Sequence, residues 1–186
     1  MEPELLVARN GHPVTKREGP IKLNLGGRDQ KIEGFLTVDL YPGSDVESDI
    51  SKLPFEDGTV SEIYASHCLE HFSHRRTISV LQEWNRVLKK GAKAYIGVPD
   101  FEAAVKLYSK IGLTDLINNF LWGDQEYDLA FHYSGFTFST LASSLVKSGF
   151  NDVKRMQNLP YRLPDCSTLR DTKFNLPLSL NVMAVK

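Results

Sequence analysis

Lys22-Leu-Asn-Leu-Gly-Gly-Arg-Asp29 decides the fold of this chain, because an apolar run breaks into two glycines and is answered by Leu36-Thr-Val-Asp-Leu40, a second apolar run that carries an acid. An open parallel sheet presents backbone N–H groups to a ligand in this way, then grips ribose hydroxyls with a carboxylate on the next strand. The pattern predicts an adenosine-containing cofactor beside Gly26, Gly27 and Asp39. The same residues argue against a dinucleotide oxidoreductase, whose glycine pattern opens a full helix and whose acid lies about twenty residues on. Here Gly27-Arg-Asp-Gln30 has no such pattern, and Asp39 follows too soon.

Composition frames this reading. With 186 residues, 41% hydrophobic and 10% aromatic, the chain can bury a core without staples. A net charge of -1 supplies no long-range attraction for phosphate backbones or anionic lipid, which argues against nucleic acid and membrane as partners. Cys68 and Cys166 are the only cysteines and stand outside any C-x-x-C spacing, so neither a disulfide scaffold nor a zinc site is expected. Leu5-Leu-Val-Ala8 is too short for a signal-peptide core, and no run approaches membrane-spanning length; a soluble cytoplasmic protein is expected.

Along the chain, residues 1–19 show no sustained period and read as a tail or cap, with one domain over 20–186. Ile21–Leu25 and Phe35–Leu40 read as the first two strands, both apolar enough to be buried on two faces. The Gly26–Gly34 connection is shorter than the roughly dozen residues of a parallel crossover, so the first helix is expected to shrink to about one turn. Ile63–Ser66 reads as the third strand. A helix from about Ser73 to Lys90 follows, with Val80, Leu81, Trp84, Val87 and Leu88 as its stripe and Lys89-Lys-Gly91 as its close. Ala92–Val98 is then a strand, and Asp100 caps a helix through Ala103, Val105 and Tyr108. Thr114–Trp122 is a short helix, and Phe138–Ser148 is the last one, burying Leu141, Leu145 and Val146. Val153–Gln157 and Leu180–Val185 finish the sheet, and Asn158–Pro177 reads as a surface loop. Strands alternating with helices predict an α/β fold of three layers.

In order, Leu23-Asn-Leu-Gly26, Val38-Asp39, Asp49-Ile50, Leu53-Pro-Phe55, Ser66-His-Cys-Leu-Glu-His71, Glu83-Trp-Asn-Arg-Val-Leu-Lys-Lys-Gly91 and Gly149-Phe150 resemble the small class I S-adenosylmethionine-dependent methyltransferases of type 11, over roughly residues 20–155. The resemblance implies a Rossmann-like three-layer sandwich, its mostly parallel sheet closed by an antiparallel C-terminal strand. It implies S-adenosyl-L-methionine as cofactor, with Gly26 and Gly27 against the methionyl end and Asn24 on the floor. Asp39 would take the ribose diol and Asp49 the adenine amino group, with Leu40 and Ile50 alongside and Ser66 and His67 beneath the methionine moiety. Arg28 stands where the family usually has another glycine. Either the loop turns without that freedom or the guanidinium pairs with the cofactor carboxylate.

Methyl transfer is then a direct displacement by an oxygen, nitrogen or sulfur, resting on positioning and exclusion of water. A hydroxyl acceptor would want a base, for which His71, His132 or His67 could serve. Cys68 is expected in the core, and Glu70 is expected to brace the loop or Arg86. The acceptor class is a small molecule or glycan. The tail, the 110–136 segment or a partner subunit, a second copy of the chain included, is expected to cover it. The alternative is a protein of this fold with weak or no catalysis, acting through cofactor binding or a partner.

Overall fold

The computed structural model describes residues 19–161, 163 and 165–186, so the tail expected over 1–19 lies, Gly19 apart, outside the described residues. Its centre is a seven-stranded sheet of β1 (Ile21–Leu25), β2 (Leu36–Asp39), β3 (Val46–Glu47), β4 (Val60–Ser66), β5 (Leu88–Pro99), β6 (Asn151–Met156) and, after a short hairpin of β7 (Arg170–Asp171) with β8 (Leu176–Pro177), β9 (Ser179–Val185). The strand order is β3-β2-β1-β4-β5-β9-β6. Pairs among the first five are parallel, while β9 runs antiparallel to β5 and β6. Beyond β1 the chain steps one way to β2 and later the other way to β4. That reversal opens a crevice at the carboxyl ends of β1 and β4.

Alternation gives the sheet two unlike faces. Leu23, Leu25, Ile63, Ala65, Ile96, Val98, Leu180 and Val182 form one aliphatic face, packed with Val80, Leu81 and Trp84 of α1 (Thr77–Val87). Once α2 (Phe101–Ile111) and α3 (Asp115–Trp122) have passed, Leu141 and Leu145 of α4 (Phe138–Lys147) complete this layer. The opposite face carries Lys22, Glu62, Tyr64 and Tyr95. Lys22 pairs with Glu62 at 2.9 Å, and Tyr161 stands edge-on to Phe35, Tyr64 and Tyr95 with its hydroxyl on Glu62. Ile32, Phe35, Leu159, Tyr161 and Leu163 pack on that face, and among the described residues this cluster draws on no α-helix.

Several boundaries differ from the sequence reading. The first crossover contains no helix: the turns Gly27 to Gln30 and Ile32 to Phe35 carry the chain across. The long helix runs over Thr77–Val87 rather than Ser73–Lys90, because Leu88 is already extended and pairs with Val60. Lys89, Lys90 and Gly91 therefore belong to β5, and the Gly91 N–H donates to the Lys186 carbonyl at 2.9 Å. A two-residue β3 precedes Ile63–Ser66, which extends to Val60 and is the fourth strand. Val146 is 59% exposed, one position round from the buried Leu145. Asn158–Pro177 includes the β7–β8 hairpin and a 3-10 turn at Cys166–Thr168.

The expected cap at Asp100 stands, and Thr114 caps α3 as well. Asp100 accepts from the Glu102 and Ala103 N–H groups, and Thr114 accepts from that of Ile117. Ala103, Ala104 and Leu107 of α2 pack with Ile117 and Phe120 of α3 and Leu178 in a smaller cluster. Among the described residues, no helix is long and apolar enough to cross a membrane. Trp84 is fully buried and its indole N–H donates to the Ile50 carbonyl at 2.9 Å, joining helix to crevice wall. Trp84→Phe should cost about 2–4 kcal/mol in chemical denaturation, from the cavity and the orphaned carbonyl together.

Candidate active site

The crevice begins with the glycine turn after β1. Gly26 adopts φ +68 and donates its N–H to the Val38 carbonyl at 2.9 Å. A Cβ there would lie 2.5 Å from the Cβ of the buried Cys68, and one on Gly27 would lie 2.2 Å from Nδ2 of Asn24. Asn24 is itself buried and donates from Nδ2 to the Gln30 carbonyl at 3.0 Å, so the turn is drawn tightly over it.

Arg28 makes the left-handed turn itself, at φ +47, at a cost of about 1–2 kcal/mol for a residue with a Cβ. Two sets of contacts offset this. Its N–H donates to Oδ2 of Asp39 at 2.9 Å, while its guanidinium lies 5.2 Å from the Tyr41 ring centre and 5.4 Å from that of Tyr127, with Nη1 donating to the Tyr127 hydroxyl at 3.3 Å.

A cavity of about 510 Å³ opens above the turn, within the range of small-molecule sites. Asn24, Gly26, Gly27 and Arg28 form one side, with Ser66, His67, Glu70 and His71 at the end of β4. Asn119, Phe120, Tyr127, Ala130 and His132 face them from α3 and the segment after it, and Asp165, Cys166 and Leu169 close a third side. That segment folds tightly. Gly123 adopts φ +80, and a Cβ on it would lie 1.8 Å from the Ala130 carbonyl oxygen. The Tyr133 and Ser134 N–H groups donate to the Glu70 carbonyl, at 2.8 and 3.2 Å, tying it to β4's end.

Asp39, Leu40, Asp49 and Ile50, expected to touch the cofactor, do not line this cavity. Asp39 sits half-buried behind the turn, with Oδ1 on the Tyr41 N–H and Oδ2 on that of Arg28. Asp49 caps its own turn through the Ser51 N–H at 2.8 Å. Ile50 is buried beside Gly26, and Leu40 is 54% exposed.

The other end of the cavity is a cluster of histidines around one carboxylate. Glu70 is fully buried, and neither of its side-chain oxygens has a hydrogen-bond partner among the described residues. His67 Nδ1 stands 3.3 Å from Oε1, outside hydrogen-bond geometry, a contact that is ionic only when the ring is protonated. The Ser179 hydroxyl spends its proton on the Cys166 carbonyl, so His67 Nε2, 2.9 Å away, is the donor to it. His71 and His132 are each fixed by a backbone carbonyl: Nδ1–H of His71 donates to Phe131 at 3.0 Å, and Nδ1–H of His132 to Phe120 at 3.1 Å. A carbonyl only accepts, which leaves each Nε2 with the lone pair in the neutral ring.

His132 Nε2 lies 4.0 Å from Oε1 of Glu70, and the two rings meet edge to face at 4.9 Å. Burial alone would raise the Glu70 carboxyl, but the imidazoles of His67, His71 and His132 outweigh it and hold the group below its ordinary range. Burial also holds His132 below the ordinary imidazole range, against the pull of Glu70. Burial pushes the Cys68 thiol well above its ordinary range, which argues against it as a nucleophile; the Cys166 thiol is raised too, although the residue is exposed. Glu70 does not brace Arg86, whose guanidinium pairs with Glu83 and Asp57. Two features escape the sequence reading: Tyr127 as the clasp on Arg28, and the wall of Leu163, Asp165, Cys166 and Leu169, which lies in the stretch expected as surface loop.

A parallel sheet with this strand order, one antiparallel strand and a glycine turn at its switch point defines the class I methyltransferase fold. Residues 30–96 match the family model for a methyltransferase domain, and solved structures that share the fold include SAM-dependent methyltransferases. The chain is similar to a SAM-dependent methyltransferase from Methanosarcina mazei, with 20% identity over 91% of this chain and 93% of that one, at a TM-score of 0.61. It is similar to 1,6-didemethyltoxoflavin-N1-methyltransferase from Burkholderia thailandensis, solved with 1,6-didemethyltoxoflavin and S-adenosylhomocysteine, at 17% identity, 90% and 71% coverage and TM-score 0.55. A chain from the complex between the Haloferax volcanii Trm112 methyltransferase activator and a methyltransferase matches at 14% identity, 90% and 82% coverage and TM-score 0.57. No curated protein matches.

The strain at Arg28 has a measurable signature. Arg28→Gly and Arg28→Ala both lose the tyrosine contacts, but only glycine relieves the left-handed turn. Arg28→Gly should be the more stable of the two by about 1 kcal/mol in urea titration.

Proposed function

We propose that this chain is an S-adenosylmethionine-dependent methyltransferase acting on an oxygen or nitrogen of a small molecule or glycan. The observation that carries the reading is the glycine turn that has no room for a Cβ, set against the end of β4 across a cavity of about 510 Å³. The residues present fit the cofactor. Gly26 and Gly27 bring bare backbone to the cavity, and the buried Ser66 hydroxyl in its wall has no hydrogen-bond partner among the described residues. Asp39, behind the turn, accepts two backbone N–H groups yet keeps further lone pairs on both oxygens for a ribose diol. Asp49, committed to its own turn, is the weaker candidate for the adenine amino group, with Leu40 and Ile50 alongside.

Bound, the cofactor supplies a methyl group on a sulfonium centre. The chain's own work is positional: the glycine turn, Ser66 and His67 hold the methionyl part, while α3 and the segment ending at His132 exclude water. In the metal-free chain the Nε2 atoms of His71 and His132 are the groups placed to take an acceptor's proton. The heterocyclic substrate of the Burkholderia thailandensis neighbour supports a small-molecule acceptor. Two free thiols fit a reducing compartment such as the cytoplasm.

A second reading, in which a partner subunit or second copy completes the protein, is favoured by one observation. Val105, Tyr108, Leu113 and Trp122, on α2, α3 and their link, are each at least half exposed. The complexed Haloferax volcanii neighbour supports it. Full turnover by a chain shown monomeric by light scattering would exclude it.

S-adenosylhomocysteine at about a hundred times its dissociation constant should add about 2.7 kcal/mol, a melting shift of roughly 5–10 °C. Asp39→Ala should remove most of that shift, with the far-UV spectrum unchanged. No shift at millimolar ligand ends the methyltransferase reading. A labelled-methyl screen of alcohols, amines and glycans then identifies the acceptor.

A further inference from the structure

The cluster at the far end of the cavity holds more than two bases for methyl transfer. Glu70 is a fully buried carboxylate with both oxygens lacking hydrogen-bond partners among the described residues. Burying such a charge is unfavourable unless a counter-charge reaches it, and the contact to His67 Nδ1 meets only one side of Oε1. His71 and His132 flank it with their tautomers already set: each Nδ1–H is spent on a backbone carbonyl, which leaves Nε2 as an electron-pair donor. Metal-ligating histidines are oriented in this way, the second ring nitrogen donating to a carbonyl or carboxylate. One ligand atom from each of Glu70, His71 and His132 lies within 4.8 Å of the others, and His132 Nε2 is 4.0 Å from Oε1.

We propose that Glu70, His71 and His132 form a binding site for one divalent transition-metal ion of the zinc, cobalt or manganese kind. Two imidazoles and one carboxylate suit such ions, whereas magnesium and calcium favour all-oxygen sets. An ion about 2.0–2.2 Å from each ligand sets the ligand atoms about 3 Å apart, so the rings and the carboxylate close inward by about an ångström. Three protein ligands leave a coordination position open, as in catalytic rather than structural sites. All three residues line the cavity, so the open position faces it. An oxygen or nitrogen of the acceptor takes that position. With the ion bound, the two Nε2 atoms are ligands and no longer proton acceptors. His67, held between Glu70 and Ser179, is then a positioning residue for the carboxylate.

The site is tested on the purified full chain with Co²⁺, followed by visible absorption and by calorimetry, with Zn²⁺ and Mg²⁺ as competitors. One Co²⁺ per chain is expected, displaced by Zn²⁺ and indifferent to Mg²⁺. Glu70→Gln, His71→Ala and His132→Ala should each weaken binding by tenfold or more, while His74→Ala, on the exposed surface, leaves it unchanged. For any variant that does not fold, carbethoxylation of the wild-type chain decides: Co²⁺ should protect His71 and His132 and leave His74 reactive. Absence of saturable binding overturns the proposal. So does an ion that persists in a folded His71→Ala/His132→Ala variant or leaves both histidines reactive. The S-adenosylhomocysteine melting shift is measured without metal, so the ion site and the methyltransferase reading stand or fall separately.

Discussion

The closeness of two strand ends governs this molecule. Gly26 and Cys68 stand so near that not even one methyl group fits between them, which fixes the turn after β1 against the chain leaving β4. The cavity inherits its floor from that contact. Ile50 packs beside the same glycine, and its carbonyl receives the Trp84 indole, so the crevice and the helical layer share one wall. A substituent at Gly26 would push apart strands that pair directly through Leu25 and Ala65, spreading the damage through the sheet.

The two faces of the sheet divide the labour. The aliphatic face against α1 and α4 supplies burial, which is non-directional and tolerant of detail. The opposite face is held by directed contacts, among them Lys22 to Glu62, Tyr161 to Glu62 and Tyr64 to Asp165. Burial and the neighbouring Asp165 carboxylate push the Tyr64 phenol well above its ordinary range, keeping it a donor. Those contacts bring Asp165 and Cys166 to the cavity, so the face opposite α1 and α4 shapes a wall of the site.

What could be read in the sequence followed from local physics. Ile21–Leu25 announced its strand by continuous apolarity, and Asp100 announced a helix start by a side chain that reaches the first free N–H groups. Leu88-Lys-Lys-Gly91 misled because an apolar residue, two cations and a glycine serve a helix end and a strand start equally well; pairing of Leu88 with Val60 decided it. Val46–Glu47 is too short to show a period. In the site, Gly26, Gly27, Ser66, His67, His71 and His132 were legible and do converge on one cavity. Glu70 was visible but its surroundings were not: its isolation comes from His132 and the 131–134 backbone, sixty-odd positions away.

Arg28 carries two duties at once. Its backbone shapes the turn under the cavity, and its guanidinium lies against Tyr127 on the segment that faces the turn from across the opening. Any displacement of that segment would break the cation–π contact and hydrogen bond to Tyr127, both made by the residue already held in a left-handed conformation. The turn beneath the cavity and the segment across its opening are thus joined through the Arg28 side chain, in addition to the backbone ties at Glu70.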